Sequence, residues 1–214
     1  MAGQLDTLLS IELPGTWGSL RPLSVGPDSA SIFALSHDAS AELTWQEMKV
    51  GPYPNVAAFN DHVSELVSDP YRAFFVVVTP HNQAVGWLCL MEGQRVHKSV
   101  ELGYVLYTPA LQRTALATEA LYLVLRHAFA LSYARVEWTC TAENERSRRA
   151  ATRLGFSFEG VMRRKLTVKG VSRDIAMYSL LESEWPARQS ALEAWLAPTN
   201  FKDGVQLSAL AGHR

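Results

Sequence analysis

Residues 101–120 read ELGYVLYTPALQRTALATEA, and the fold turns on how this stretch is divided. The first half, through Tyr107, reads as the end of a strand that begins at Ser99. From Pro109 onward a helix is expected, because Leu116, Ala120, Leu123, Val124, His127 and Leu131 recur at helical spacing on one face. A strand that passes through a short loop into a helix collects unpaired backbone N–H groups at the helix start. With the helix dipole they form a site for an anion. Ala115 and Ala117 are small enough to let a phosphate reach the backbone. The same residues also fit a plain strand–turn–helix connection.

Upstream, Phe74 to Thr79 (FFVVVT) and Ala84 to Met91 read as strands joined by a turn at Pro80–Gln83. With Ser99 to Tyr107 they predict an antiparallel meander. Before it come a short strand at Trp17 to Leu23, a helix from Pro27 to about Ser36, a rigid loop at Gly51–Asn55 and a helix from Val56 to Val67. Downstream, Arg135 to Thr141 (RVEWTCT) is a strand, and Asn144 caps a helix that ends at Gly155. Phe156 to Val168 and Arg173 to Leu181 form a hairpin around Lys169–Gly170, and Glu182 to Leu196 is a closing helix. The order is β-α-α-β-β-β-α-β-α-β-β-α. An antiparallel start followed by β-α-β-α-β implies an α/β chain with a mixed, mostly antiparallel sheet flanked by helices. A crevice is expected where the strands change direction. Residues 1–16 read as an arm, 17–197 as one domain and 198–214 as a loose tail.

The 214 residues, 48% hydrophobic and 19% charged, suit one globular domain and exclude a disordered chain. The net charge of −1 argues against a global field for nucleic acid or membrane. No apolar run approaches the roughly 18 residues of a membrane helix, and no secretory leader is recognisable, so a cytoplasmic location is expected. Cys89 and Cys140 lack metal-site spacing and read as buried reduced thiols. Charge is nonetheless polarised. Residues 144–173 hold nine Lys or Arg against two Asp or Glu, and the rest of the chain holds 11 against 19. This layout suits an anionic partner near the C-terminal half, or simply a solvated basic face.

Residues 144–160 read NERSRRAATRLGFSFEG. Helical spacing puts Ser147 with Ala150, Ala151 and Leu154, while Arg146, Arg148, Arg149 and Arg153 face elsewhere. A strand bearing a Glu, a P-x-x-Q-x-x-A-x-A loop into a helix, and N-x-x-S followed by L-G-F-x-x-E-G resemble the GNAT family of acyl-CoA N-acyltransferases. The likeness is to its RimJ/RimL-type branch and covers about Trp17 to Leu181. The resemblance implies acetyl-CoA as donor, no metal, and an amine as acceptor, either a protein N-terminus or a small molecule. Gln112, Arg113, Thr114, Ala115, Leu116, Ala117 and Thr118 match the pyrophosphate loop. Leu106 and Tyr107 match the strand end that pairs with pantetheine, and Asn144 matches a residue beside it. Ser147 matches a hydroxyl near the thioester sulfur. The family usually has Gly at the position of Ala115, which puts the loop geometry in question. Homodimers are frequent among relatives.

An attacking amine must lose a proton, and Glu101 on the central strand is the candidate base, with Glu159 second. Ser147 is the candidate acid for the leaving thiolate. Val161 to Gly170 holds no Asp or Glu, so the carboxylate that some members carry there has no counterpart. Trp45, Tyr53, Trp87 and Tyr104 would wall an acceptor pocket or belong to the core. His97 reads as solvated and His127 as a core or cleft-edge residue. Two other functions stay open: an acyl-CoA-binding module without catalysis, and a nucleic-acid binder using the arginines. The latter lacks interleaved aromatics for stacking.

Overall fold

The computed structural model describes residues 11–39, 41–202 and 205–210; the start of the predicted arm, residues 1–10, lies outside them. An eight-stranded sheet runs in the order β1-β2-β3-β4-β5-β6-β8-β7. Its strands are β1 (Leu13–Pro14), β2 (Ser19–Pro22), β3 (Arg72–Val78), β4 (Ala84–Gln94), β5 (Ser99–Tyr107), β6 (Arg135–Thr141), β7 (Ser157–Val168) and β8 (Val171–Leu181). The predicted meander is present, since β3, β4 and β5 pair antiparallel in sequence. Only β5 and β6 run parallel.

Helices cover both faces. On one side lie α1 (Pro27–Ser36), α2 (Ala41–Trp45) and α3 (Val56–Ser68); on the other lie α4 (Ala115–Ala130) and α6 (Trp185–Leu196), with α5 (Glu145–Leu154) beside the split between β5 and β6. The alternation in β3 shows why the run FFVVV is apolar throughout. Ala73, Phe75 and Val77 enter the core with α4 and α6, while Phe74, Val76 and Val78 enter the core with Ile32, Trp45 and Phe59. Buried on both faces, residues 73–78 of β3 are all apolar.

Helix starts follow their caps. Asn55 accepts from Ala58 N at 2.9 Å and Asn144 from Ser147 N at 3.0 Å. Gly155 ends α5 at φ +97°, the left-handed position for which its sequence neighbours predict glycine.

Three expectations are corrected. The helix expected from Pro109 begins at Ala115, because Thr108 to Thr114 form consecutive turns closed by bonds from Leu111 N and Gln112 N to Thr108 O. The face predicted for α4 is too narrow. Every residue from Leu116 to Leu125 is buried, because the helix is enclosed by the sheet, α6 and the N-terminal segment, whereas Leu131 is exposed. Finally, the described residues after Pro198, 199–202 and 205–210, are not loose. A 3-10 turn at Pro198–Asn200 leads into paired strands β9 (Phe201–Lys202) and β10 (Val205–Gln206). Asn200 is buried and bonds Trp195 O and Ser208 N at 2.9 Å each.

The entering chain is equally fixed. The Glu119 carboxylate accepts from Thr16 N at 2.6 Å and Trp17 N at 2.8 Å. Trp17 Nε1 donates to Leu196 O at 3.0 Å.

Candidate active site

The ladder between β5 and β6 spans three residue pairs and ends at Glu101 opposite Glu137. Beyond it β5 carries an extra residue. Gly103 opposes Cys89 and Leu106 opposes Trp87, so three steps on β5 face two on β4. This bulge puts Tyr104 at φ +52° and bends the strand away from its parallel neighbour. The opened strands border a cavity of about 1000 Å³. It runs from α2 and the residues after it, past the split, to α5 and the C-terminal hairpin.

Glu101 lines the cavity, half-buried, and its Oε1 accepts from Thr139 Oγ1 at 2.6 Å. Burial pushes its pKa above the usual carboxylate range. The Thr139 bond and the Lys49 charge oppose that shift, and the nearby Glu137 and Glu92 add to it. Gly103 lies close beside it: a Cβ there would stand 2.7 Å from Met91 Cε, the movable end of that side chain, and 3.3 Å from Glu101 Oε1. Ser147, on the first turn of α5, also lines the cavity. Its Oγ accepts from Trp138 Nε1 at 2.9 Å, and its hydroxyl partly opposes the rise that burial gives the Cys140 pKa. Cys140 is half-exposed on the cavity wall rather than buried; Cys89 is fully buried.

Thr114 caps α4, accepting from Ala117 N at 3.1 Å. The N–H groups of Ala115 and Leu116, first in the helix, have no intrahelical acceptor. Gln112 Nε2 ties the loop to Tyr107 O at 2.8 Å, and the Tyr107 hydroxyl donates to Ala117 O at 2.8 Å. The left-handed residue of this loop is Arg113, at φ +62°, and Ala115 has negative φ. Alanine at 115 therefore strains nothing. Leu106, Tyr107, Gln112, Arg113, Thr114, Ala115, Ala117, Thr118 and Asn144 all border the cavity. Leu116 does not, as its side chain packs in the core against Gly18.

Arg146, Arg149 and Arg153 border the cavity as well, contrary to the helical reading that turned them away. They stand at i, i+3 and i+7 on α5, one face, and α5 sits edge-on to the split so that this face and the Ser147 face both meet the cavity. Arg148 instead bonds Tyr178 Oη at 3.1 Å and Ala142 O at 3.3 Å. Of Trp45, Tyr53, Trp87 and Tyr104, only Tyr104 lines the cavity; Trp45 and Trp87 are fully buried, and Tyr53 packs on Trp45, Phe59 and His62. His97 is exposed, and His127 is buried against Phe75.

Glu159 is committed elsewhere. Arg135 Nη1 donates to it at 2.7 Å and Ser179 Oγ at 2.7 Å. Hydrogen bonding to Arg135 holds its pKa down at about 2, too acidic for a base near neutrality.

A cavity lined by a helix N-terminus, by arginines and by the carboxylates of Glu47 and Glu101 suits an anionic donor meeting an amine. The family profile described as an acetyltransferase (GNAT) domain matches residues 19–157. The chain belongs to the GNAT acetyltransferase family. Its family donor is acetyl-CoA. A crystal structure of a GCN5-related N-acetyltransferase from Brucella melitensis superposes with a TM-score of 0.91 at 35% identity, covering 94% of this chain and 92% of that one. The spermidine N(1)-acetyltransferase of Escherichia coli K12 is 27% identical over 78% of this chain and 88% of its own length. The putative ribosomal N-acetyltransferase YdaF of Bacillus subtilis is 33% identical over 47% of this chain. That match spans 55% of the Bacillus protein. Among the described residues no helix is long and apolar enough to cross a membrane, and no cluster of side chains suits a metal ion.

The sequence left three features of this GNAT site unread: the bulge at Tyr104, Thr139 as partner of Glu101, and Trp138 as partner of Ser147. A bulge leaves no periodicity signal, and the two partners lie on β6, 38 and 9 residues away.

Proposed function

We propose that this chain, a GNAT enzyme of the RimJ/RimL type, transfers the acetyl group of acetyl-CoA to a primary amine. The supporting observation is that Glu101 and Ser147, from different elements, border one cavity opened by the divergence of β5 and β6. Acetyl-CoA supplies an activated thioester carbon. The Ala115 and Leu116 N–H groups and the arginines of α5 bind its phosphates. Glu101 takes the proton of the attacking amine, directly or through a water. Its raised pKa brings it closer to the acidity that such a base needs. Backbone N–H groups freed by the bulge polarise the carbonyl oxygen, and Ser147 gives a proton to the leaving thiolate.

The acceptor end carries Glu47, Glu101, Met91 and Tyr104 with Lys49, a setting for a cationic amine. A protein N-terminus or a small amine both fit it. Non-catalytic acyl-CoA binding has two grounds, alanine at 115 and the unassigned base; with the left-handed turn at Arg113 the first falls away, and the second is what the assay decides. The test is thiol release from acetyl-CoA over a panel of polyamines, other small amines and N-terminal peptides. Turnover with one amine class, lowered in both Glu101→Gln and Ser147→Ala, is expected. Tight CoA binding with no release for any amine would refute catalysis.

A further inference from the structure

The outer end of the cavity is walled by residues beyond the family match, which ends at residue 157. Trp195, Phe201, Val205 and Gln206 stand there opposite Thr118 and Arg153. The guanidinium of Arg153 is held from two sides. Its Nη2 donates to Thr118 Oγ1 at 2.8 Å, and its Cζ lies 4.8 Å from the centroid of the Trp195 ring. Trp195 is buried and fixed in turn by Phe201, at 5.2 Å between ring centroids, and by the Asn200 bond to its carbonyl.

Arg153 makes no ion pair with any carboxylate among the described residues. It differs in this from Arg149, paired with Glu145 at 2.9 Å, and from Arg135, which holds Glu137 and Glu159. A guanidinium offers five N–H donors in a rigid fork. Here one goes to a hydroxyl and one face to an indole, leaving a fixed, uncompensated cation turned to a cavity.

Its position relative to the loop selects the anion. Thr118 lies four residues past the Thr114 cap, about 6 Å along the helix axis, on the side of the C-terminal hairpin. A ribose ring sets two phosphate groups about that far apart along a nucleotide. We propose that Arg153, braced by Trp195 and Thr118, is a second anion site, which binds the phosphate monoester on the donor's ribose, and that Phe201 and Val205 cover the adjoining nucleoside. The proposal rests on the acetyl-CoA reading above. It makes the C-terminal segment part of the donor site and gives the enzyme a preference for the 3′-phosphorylated donor.

The test is calorimetric binding of CoA and of 3′-dephospho-CoA to the full chain, wild type and Arg153→Met. Wild type is expected to bind CoA about tenfold or more tightly than the dephospho form, the scale of a charge-assisted bidentate contact. Arg153→Met should lose that factor for CoA and change the affinity for dephospho-CoA less than twofold. Val205→Glu, at an exposed wall residue, should weaken CoA more than dephospho-CoA by charge repulsion. Equal affinity of wild type for both ligands, or equal weakening of both by Arg153→Met, would overturn the assignment while leaving the donor reading intact. Binding of neither ligand to wild type would overturn the donor reading, and this inference with it.

Discussion

Glu101 and Glu159 show how little a residue type says without its surroundings. Both are glutamates on strands of one sheet. One faces a cavity and is pushed toward neutrality by burial; the other is locked to Arg135 and stays ionised. Glu101→Gln should lower kcat/KM about 10²–10⁴-fold, the usual worth of a positioned base. A raised pKa puts the acid limb of the wild-type pH–rate profile above the ordinary glutamate range. Activity therefore falls as pH drops through that value, and the limb should vanish in the variant. Survival of the limb in Glu101→Gln would remove the residue from the mechanism. Glu159→Gln should leave kcat/KM within about threefold and lower stability by no more than about 1 kcal/mol, since the pair is partly exposed. Its depressed pKa fixes the sign of the linkage. The stabilisation is present above the unfolded value near 4.5 and is lost as pH falls from there toward 2. Denaturant melts of the two proteins between pH 7 and pH 2 should therefore converge.

At the scale of elements, the start of α4 and the bulge in β5 divide the work of the site. Thr114 caps the helix with its side chain and holds Leu111 O through its hydroxyl at 2.7 Å, so the loop and the first free N–H groups are set by one residue. Thr114→Ala should cost about 0.5–2 kcal/mol and raise the KM for acetyl-CoA with little change in kcat. Equal effects on kcat and KM would mean that the cap shapes the reacting centre instead. Much of this level is legible in the chain itself. The ends of β6, α1 and the Gly155 stop follow from local residues: the PD start of α1, the Asn144 cap, the left-handed glycine. The five-residue α2 carries no such signal and is held by its surroundings, with Trp45 Nε1 bonded to Ser36 O at 3.0 Å and Lys169 Nζ to Trp45 O at 2.8 Å.

For the whole molecule, both ends of the described chain converge on α4 and α6. Glu119, 102 or more residues from its backbone partners, joins the entering chain to the helix that builds the donor site. Glu119→Gln keeps the shape but replaces one carboxylate acceptor by a donor facing an N–H group. A loss of about 1–3 kcal/mol is expected, read as a lower denaturation midpoint with an unchanged slope. A neutral outcome would mean that the N-terminal segment is held by Trp17 packing on Phe201 instead. The charge layout makes a second prediction. Arg113, Arg146, Arg149 and Arg153 share the mouth of the cavity, so the KM for acetyl-CoA should rise with ionic strength while kcat holds. A KM insensitive to salt would deny these arginines a role in donor binding.

The chain by itself determined the strand and helix order, the antiparallel-to-parallel change and the segments that meet at the site. Those are local matters: apolar runs that need two-sided burial, caps that satisfy the first N–H groups, a glycine that alone tolerates φ +97°. It also placed Glu101 on the strand beside the split and Ser147 on the first turn of α5. Tertiary structure alone decided which charges are free. The Arg135 bond that disarms Glu159, the Thr139 bond on Glu101, the face that α5 turns to the cavity and the hairpin closing its outer end all join residues distant in sequence. Their energies depend on burial and on partners that no local pattern encodes.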